Sequence, residues 1–372
     1  MRVAIDIRKV HDFGIGTYVR NVVRELARQD RTNEYLLISQ PADRDLASQV
    51  GPNFRGIVDR SGNYSLPEQL SIPLLLARER VDVFHAPHYV LPPLVRCPSV
   101  VTIHDCIHLM FPQYLPNRLA STYARALMWN ATHRASHVLT VSEASKRDIL
   151  RFFRIPPGNI TVVPNALDER FGIGPDEEDL HRTRERYQLH APFVLYVGNI
   201  KPHKNVERLI EAFALVRTGP LAHVKLLIIG DEISKYPTLR RTVHRLKLHK
   251  HVRFFGFVDD RTLASLYRLA TVFAFPSLYE GFGLPPLEAM ASGTPVVTSN
   301  VSSLPEVVGE AAILVEPEDV NAIAHGLRKV LLDESLRTDL RARGLARAAE
   351  FSWARSVATI HRIYTEAAAR GR

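Results

Sequence analysis

The chain is poor in cysteine and has no long apolar run. Its 372 residues include 2 cysteines, Cys97 and Cys106, too few for a disulfide framework, so we expect both to be small buried hydrophobic residues. No segment approaches the roughly 18 apolar residues that a membrane span requires. Residues 1–8 form a short apolar stretch broken by charge, unlike a signal peptide. We therefore expect a cytoplasmic protein without a membrane-spanning helix.

Acidic residues are too few to balance the basic ones. The chain has 48 Lys and Arg against 39 Asp and Glu, a net charge of +9. This excess of positive charge fits three kinds of binding partner: nucleic acid, an anionic membrane surface or phosphate-bearing substrates. The sequence has no zinc-finger spacing, RNA-binding aromatic signature or long Lys/Arg block, so we expect no nucleic-acid partner. The basic segment 117–134 predicts a helix that either covers the core or contacts lipid headgroups.

Short apolar runs alternate with helical patterns along the whole chain. Strand candidates in the first half lie near residues 3–7, 35–39, 81–85, 99–104 and 138–142, and the pattern restarts at 193–198. Such alternation is typical of α/β folds with doubly wound parallel sheets. The length suits two domains, which we expect at residues 1–190 and 191–350. A polar, charged stretch predicts the hinge near Ala191, with a cleft beside it.

Glu280 and Glu288 are the most informative residues of the sequence. Residues 271–275 are a short apolar run that predicts a buried parallel strand, and a proline follows it. Two prolines at 285–286 fit the first turn of the next helix, where a missing N–H costs little. Glu280 is therefore predicted in the loop, and Glu288 about one turn into the helix.

Glycines in the same loop predict an anion site. Gly281 and Gly283 let backbone N–H groups approach a ligand closely, beside a helix N-terminus that favours a phosphate. Carboxylates next to such a site would accept hydrogen bonds from sugar hydroxyls. The spacing of Glu280 and Glu288 therefore suits a nucleotide-sugar site.

A second anion site is predicted between a strand and a helix at residues 196–205. This loop contains Gly198, Asn199, Lys201 and Lys204. A helix N-terminus supplies directed N–H donors, and Lys204 adds a point charge suited to a diphosphate leaving group.

Two further candidates lie in the first half of the chain. Gly14 and Gly16 follow the first strand and precede a helix, but the third glycine of a dinucleotide fingerprint is missing, so an NAD-dependent dehydrogenase is weakly supported. His104 ends an apolar strand, and strand ends of an open parallel sheet point into a ligand crevice. Asp105, next to it, is a candidate for orienting a sugar ring.

We expect no metal site. Asp43 and Asp45 form the only Asp-x-Asp of the chain, in a polar stretch that fits a solvated helix start better. The remaining candidate ligands offer neither four convergent groups nor a His-Glu-x-x-His pattern. They are His85, His88, His104, Cys106 and His108.

The block at 276–295 resembles the signature of the retaining glycosyltransferase family 4, whose members have the GT-B fold and carry two glutamates at this spacing. The resemblance implies two Rossmann-like domains facing across a cleft, with a last helix at 351–372 that crosses back to the first domain. The family usually has an arginine where this chain has Asn199. That difference weakens one phosphate contact, for which Lys201 is the candidate replacement.

The resemblance also implies roles for single residues. Lys204 would hold the diphosphate, Glu288 the ribose hydroxyls and Glu280 the hydroxyls of the transferred sugar. His104 would contact that sugar, so the predicted catalytic residues are His104, Lys204 and Glu280. The backbone at Val258 would read the nucleobase. The predicted donor-binding residues are Gly14, Gly16, Gly198, Asn199, Lys201, Lys204, Val258, Glu280, Gly281, Phe282, Gly283, Leu284 and Glu288.

The function that follows is a retaining hexosyltransferase using a nucleoside diphosphate sugar, without a cofactor or a metal. GDP-mannose is the first donor expected, and UDP-sugars are the second. The acceptor is expected to be a saccharide or a lipid-linked saccharide in surface polysaccharide, glycan or glycolipid synthesis, with peripheral contact to an anionic membrane as an open possibility. The alternatives are a nucleotide-sugar epimerase of the same fold and a non-catalytic protein that binds nucleotide sugar or a membrane surface.

Overall fold

The chain divides into two compact units. A computed structural model describes residues 1–115, 117–168, 171, 176–230 and 233–371. Unit 1 comprises Met1–Ala166 and Ser352–Arg372, and unit 2 comprises Leu167–Phe351. Each unit has its own parallel sheet, of seven and six strands. The predicted α/β class with two doubly wound parallel sheets is confirmed.

Unit 1 is built on a seven-stranded sheet with the order β3-β2-β1-β4-β5-β6-β7. The chain moves outward from β1 to β3, then crosses back to β4 on the other side of β1, so the strand order reverses between β1 and β4. Ligands of open parallel sheets bind at the carboxyl ends of strands beside such a reversal. The strands are β1 (Arg2–Asp6), β2 (Glu34–Ser39), β3 (Phe54–Val58), β4 (Val83–Ala86), β5 (Ser99–Ile103), β6 (His137–Thr140) and β7 (Ile160–Val162).

Helices cover both faces of this sheet. The connections β1 to β2 and β3 to β4 run in opposite directions, and right-handed crossovers place their helices on opposite faces. One core cluster joins the strands to side chains of α2, α4 and α5. The helices are α1 (Phe13–Gln29), α2 (Glu68–Arg78), α3 (Ile107–Met110), α4 (Arg118–Arg134) and α5 (Glu143–Phe153). The helix predicted at 117–134 is thus α4, with Asn117 as its N-cap.

Unit 2 has a six-stranded sheet with the order β10-β9-β8-β11-β12-β13, which reverses between β8 and β11. Its strands are β8 (Phe193–Gly198), β9 (Lys225–Gly230), β10 (Val252–Phe254), β11 (Val272–Phe275), β12 (Val296–Ser299) and β13 (Ala312–Val315). Its helices are α6 (Glu177–Tyr187), α7 (Val206–Val216), α8 (Pro237–Arg245), α9 (Asp260–Leu269), α10 (Leu284–Ala291), α11 (Leu304–Val308), α12 (Val320–Leu332) and α13 (Glu334–Ala349).

The division between the units lies earlier in the chain than the hinge expected near Ala191. The segment before β8 belongs to unit 2 because α6 packs against α9. Asp179 of α6 pairs with Arg261 of α9 at 2.7 Å, and Arg253 donates to the carbonyl oxygen of Tyr187 at 2.6 Å. These contacts connect residues far apart in sequence.

The last helix, α14 (Trp353–Arg370), belongs to unit 1. It packs against α1 and lies on β4 and β5. The Tyr364 hydroxyl is 2.5 Å from Nδ1 of His85, and Thr102 Oγ1 is 2.8 Å from Nε2 of the same imidazole. Both ring nitrogens of this fully buried histidine are therefore satisfied.

The two cysteines are free thiols within unit 1. Cys106 is fully buried, as expected, whereas Cys97 is half-buried. Burial raises the pKa of the Cys97 thiol to about 11, so it stays protonated near neutral pH. Among the described helices, none combines the length and the apolarity needed to cross a bilayer.

Buried imidazoles predict that unit 1 loses stability in mild acid. Desolvation lowers the pKa of His85 to about 3, whereas an unfolded histidine titrates near 6.5. The unfolded chain therefore binds the proton first, and the stabilisation is complete above pH 6.5 and lost as pH falls toward 3. At pH 5 the loss attributable to His85 is about 2 kcal/mol.

This loss can be measured by urea unfolding followed by tryptophan fluorescence, because both tryptophans, Trp129 and Trp353, lie in unit 1. We expect His85→Gln to reduce the difference in unfolding free energy between pH 7 and pH 5 by about 2 kcal/mol. His11→Gln, at a side chain that is 75% exposed, is the matched control and should leave the difference unchanged. An undiminished pH dependence in His85→Gln would contradict this account.

Candidate functional site

Two loops of unit 2 meet at the carboxyl edge of its sheet. Strands β8 and β11 are neighbours, so the loops that follow them, 199–205 and 276–283, leave the sheet side by side. Asn205 joins them, since its Nδ2 donates to the carbonyl oxygen of Pro276 at 2.9 Å and to that of Pro317 at 2.6 Å. This residue has a φ of +61° and begins α7, so the turn containing Lys204 is held against the end of β11.

Lys204 and Glu280 form a close ion pair in this place. The ammonium Nζ lies 2.6 Å from Oε1 and 2.9 Å from Oε2 of Glu280. The side chains are 16% and 11% exposed, so solvent screens the pair less than on an open surface. The ammonium also lies 5.3 Å from the ring centroid of Phe275. A cation and a carboxylate thus lie together, partly exposed, at the carboxyl edge of the unit 2 sheet.

Serine hydroxyls fix the backbone of the Glu280 loop. Ser302 Oγ accepts from the backbone N–H of Glu280 at 3.2 Å and donates to its carbonyl oxygen at 2.7 Å. Ser303 Oγ donates to the carbonyl oxygen of Phe282 at 2.7 Å. Both serines stand between β12 and α11, so three strand-end loops contribute to the same structure. Their hydroxyls support the loop from behind rather than bind a ligand themselves in this arrangement.

Gly283 begins α10 in a conformation that other residues avoid. Its φ is +112°, and a Cβ atom would lie 2.9 Å from Leu304 Cδ2. A glycine is therefore required both by the backbone and by the neighbouring side chain. The helix that follows starts at Leu284, which carries the first N–H of α10, because the prolines at 285 and 286 have none. The Phe282 ring packs edge-on against Phe351 at 5.6 Å and is buried.

Glu288 is held by a residue that the sequence did not single out. The Tyr267 hydroxyl donates to Oε2 of Glu288 at 2.9 Å. Tyr267 lies on α9 and is fully buried; burial and the nearby Glu288 charge raise its phenolic pKa, so it remains a donor. The sequence did contain a signal for this contact, because a tyrosine on the apolar face of a helix needs a hydrogen-bond partner for its hydroxyl. Glu288 itself is partly exposed.

The remaining candidates of unit 2 differ in exposure. Lys201 is exposed, whereas Asn199 is half-buried, and its Oδ1 has no hydrogen-bond partner within the described residues. Val258 lies at the carboxyl end of β10 and is buried. Its neighbour Phe257 is 79% exposed, an aromatic ring beside the expected nucleobase position that the sequence did not mark. The roles assigned to these residues stay predictions.

Gly14 and Gly16 lie in the first turn of α1 rather than in a loop before it, because the helix already starts at Phe13. A Cβ at Gly16 would lie 2.3 Å from the carbonyl oxygen of Val10, whereas Gly14 has open space around it. Close packing of the backbone therefore explains Gly16 without a ligand.

His104 follows β5 in unit 1 and is partly exposed. Its Nε2–H donates to the carbonyl oxygen of Pro87 at 2.9 Å, which leaves the Nδ1 lone pair as an acceptor. Burial lowers its pKa, so the neutral imidazole is favoured. The Tyr18 ring packs edge-on against it at 4.9 Å, and the Tyr18 hydroxyl bonds Thr102 at 3.0 Å. This contact connects His104 to the buried His85 network.

Asp105 accepts at Oδ1 from the backbone N–H of Ile107, the first residue of α3, at 2.9 Å. Its role in orienting a sugar ring stays a prediction. Asp43 accepts from His11 at 2.7 Å at the surface. Within the described ranges, no group of three or more His, Cys, Asp or Glu residues is arranged to hold a metal ion. The expectation of metal-free chemistry stays a prediction.

The structure thus brings together one set of predicted residues within unit 2 and another within unit 1. In unit 2 the strand order reverses between β8 and β11, and this point is surrounded by Lys204, Glu280 and the start of α10. Glu288 lies four residues into that helix. Such a site offers a cation and N–H donors to phosphate oxygens, and carboxylates to hydroxyls. Gly14, Gly16 and His104 follow the carboxyl ends of strands in unit 1.

Comparison with known proteins identifies the family and agrees with the fold. Residues 178–347 match the family profile described as Glycosyl transferases group 1, and residues 14–171 match that described as Glycosyltransferase Family 4. O-antigen chain mannosyltransferase B of Escherichia coli is 36% identical over 272 residues, which cover 73% of this chain and 71% of that relative.

Solved structures match over nearly the whole chain. Sucrose-phosphate synthase from Thermosynechococcus elongatus has a TM-score of 0.81 at 22% identity and covers 98% of both chains. Anabaena HepE, solved in complex with UDP and glucose, has a TM-score of 0.79 at 19% identity and covers 98% of this chain and 100% of its own. At such identities these neighbours show the fold. The chain is therefore a member of glycosyltransferase family 4 with the GT-B fold.

Proposed function

We propose that this glycosyltransferase is a retaining mannosyltransferase that moves mannose from GDP-mannose to a hydroxyl of a saccharide or lipid-linked saccharide acceptor in surface polysaccharide synthesis. The observation that carries the proposal is the pairing of Lys204 with Glu280 beside the start of α10. The similarity to an O-antigen mannosyltransferase supports mannose. The UDP and glucose in HepE support UDP-sugars as the second donor class.

Lys204 would stabilise the departing diphosphate. Departure of this group concentrates negative charge on its oxygens, and positive groups arranged beforehand lower the barrier most. The Glu280 carboxylate pairs with the ammonium in this structure. A diphosphate carries more charge than a carboxylate and would draw Lys204 toward itself, with the backbone N–H of Leu284 at the start of α10 as a further donor. Glu280 is then available to accept from hydroxyls of the sugar.

Glu288 would bind the ribose hydroxyls of the nucleotide. The bond from Tyr267 fixes one carboxylate oxygen and therefore the orientation of the group. A carboxylate with a fixed orientation loses less entropy when it binds two adjacent hydroxyls. Tyr267 is thus a positioning residue.

The role proposed for Glu280 also bears on how the anomeric configuration would be kept. A carboxylate that accepts hydrogen bonds from hydroxyls of the transferred sugar is not placed behind its anomeric carbon, where a nucleophile must stand. This favours a same-face reaction, in which the departing phosphate takes the proton of the acceptor hydroxyl, over a covalent intermediate on Glu280. His104, with its Nδ1 lone pair, would accept from a hydroxyl of the transferred sugar.

A donor panel tests the proposal directly. Purified chain is incubated with GDP-mannose, UDP-glucose or UDP-galactose, with and without mannose-containing acceptors, and nucleotide release and product anomers are measured. We expect acceptor-dependent release of GDP, an α-linked product from the α-linked donor, and full activity in EDTA, because cationic side chains and N–H groups replace a metal. Conversion of the donor without acceptor would instead indicate an epimerase, and binding without turnover a non-catalytic protein.

Lys204→Ala should lower transfer much more than donor binding. Loss of one preorganised charge at the leaving group typically costs about 100- to 1000-fold in kcat. We expect that loss with a much smaller change in the Kd for GDP-mannose, measured by calorimetry. Lys250→Ala, at an exposed lysine of the same unit, is the control and should retain activity. Full turnover in Lys204→Ala would remove the proposed role.

Glu288→Ala should weaken binding of the nucleotide. Hydrogen bonds to a charged group contribute about 1.5–3 kcal/mol, so the Kd for GDP should rise roughly 10- to 100-fold. Tyr267→Phe keeps the carboxylate but removes its fixed partner, so a smaller rise is expected. Titration calorimetry with GDP measures both variants. An unchanged Kd in Glu288→Ala would show that this carboxylate does not contact the ribose.

A further inference from the structure

Exposed apolar side chains are concentrated in one stretch of unit 1. Of the 15 large hydrophobic side chains that are exposed among the described residues, 9 lie between positions 64 and 129. Folded chains usually show such side chains singly, and a contiguous group marks an interaction surface. The group consists of Tyr64, Leu66, Leu70, Leu74, Leu94, Tyr114, Leu119, Tyr123 and Trp129.

One part of this group is a row of leucines that starts just before α2 and continues along it. Leu66 precedes the helix by two residues, Leu70 and Leu74 lie four residues apart on it, and the three side chains are 79%, 57% and 71% exposed. Residues four apart on a helix share one side of it. The opposite side packs Ile72 and Leu76 into the core, so the helix has apolar residues both inside and outside. An exterior leucine row is not needed to hold the fold together.

The second part lies on α4, where Leu119, Tyr123 and Trp129 are 81%, 41% and 54% exposed. Their neighbours carry charge of one sign only. The sequence has no Asp or Glu between positions 106 and 142, and the exposed charged residues of α4 are Arg118, Arg125 and Arg134.

The two parts belong to one surface of unit 1. The Tyr123 hydroxyl of α4 donates to the carbonyl oxygen of Tyr64, just before α2, at 3.4 Å. Both helices bury their inner side chains in the same core cluster, so they cover the same face of the sheet. Glu68 of α2 is turned inward, where it accepts from Arg8 at 2.5 Å and adds no charge outside. We call the six residues Leu66, Leu70, Leu74, Leu119, Tyr123 and Trp129 the apolar face.

We propose that the apolar face binds the surface of an anionic lipid bilayer, with its leucines and Trp129 at the depth of the headgroups. Leucine, tyrosine and tryptophan beside arginines are the composition of surfaces that lie in the membrane interface. The arginines match the negative charge of anionic lipids. A second copy of the chain fits less well, because a symmetric contact would bring the arginines of both copies together without acidic partners.

The inference rests on the proposed function in one respect, since a lipid-linked acceptor would lie at the surface to which this face binds. The face also joins the basic helix expected from the sequence, α4, to the segment before α2 through the bond between Tyr123 and Tyr64. Binding to lipid requires no donor, however, so it is measured separately from turnover. A chain that binds vesicles but transfers no sugar would refute the proposed function and leave the lipid site intact.

Binding is tested with the full chain and vesicles of phosphatidylcholine, alone or with about 30% phosphatidylglycerol. We expect the chain to sediment with the anionic vesicles, to bind the neutral ones weakly, and to be released by salt. Trp129 is a built-in probe, because it is 54% exposed whereas Trp353 is 8% exposed. Its emission should shift to shorter wavelength on binding, and Trp129→Phe should abolish the shift.

The double variant Leu70→Ser/Leu74→Ser should reduce partitioning about tenfold. Both side chains are exposed, so circular dichroism and donor binding should be unchanged. The matched control is Leu332→Ser/Leu345→Ser, which removes leucines that are 53% and 46% exposed in unit 2 and should bind like the unsubstituted chain.

Unaltered partitioning of the Leu70/Leu74 variant, or equal binding to neutral and anionic vesicles, would overturn the proposal. A concentration-dependent dimer in sedimentation velocity that this variant loses would assign the face to a second copy, and would overturn it as well.

Discussion

The contact between Lys204 and Glu280 depends on a constraint of the sheet rather than on the two residues themselves. Strands β8 and β11 are neighbours at the reversal of strand order, and parallel strands place their carboxyl ends at one edge. Residues 76 positions apart therefore meet at 2.6 Å. Asn205 and Gly283 then fix the two loops, one by its bonds to carbonyl oxygens and the other by its backbone conformation. The positions of Lys204 and Glu280 are thus set by the backbone of the two loops that carry them.

Local signals located much of this site in advance. Consecutive prolines, glycines with a backbone role and a short apolar run defined a strand, a loop and a helix around Glu280 and Glu288, and the structure has these elements. What could not be predicted depends on contacts distant in sequence. The boundary between units lies before α6 because that helix packs on α9, and Tyr267 reaches Glu288 from another helix. Neither contact can be recognised from the residues that neighbour it in the sequence.

Sequence patterns that fit two different structures are the other reason why parts of the structure could not be predicted. Asp105 is a candidate for contacting a ligand, but a carboxylate after a strand can equally bond the backbone of the next turn, and its Oδ1 accepts from the N–H of Ile107. Leucines spaced by four are the usual pattern of a buried helix side, yet Leu66, Leu70 and Leu74 lie outside. Only the packed structure shows which side of α2 the core occupies, because Ile72 and Leu76 have a similar spacing and the same apolar character.

The position of α14 has a consequence for how the protein is made. Unit 1 consists of residues 1–166 and a part that follows unit 2 in the chain, so the ribosome supplies that part only after it has made the whole of unit 2. Until then β4 and β5 lack the helix that covers them, and His85 lacks the Tyr364 hydroxyl. Unit 2 is contiguous and can fold while synthesis continues. Unit 1 can therefore complete its fold only after unit 2 has been synthesised, and until then the side chains that α14 covers stay exposed.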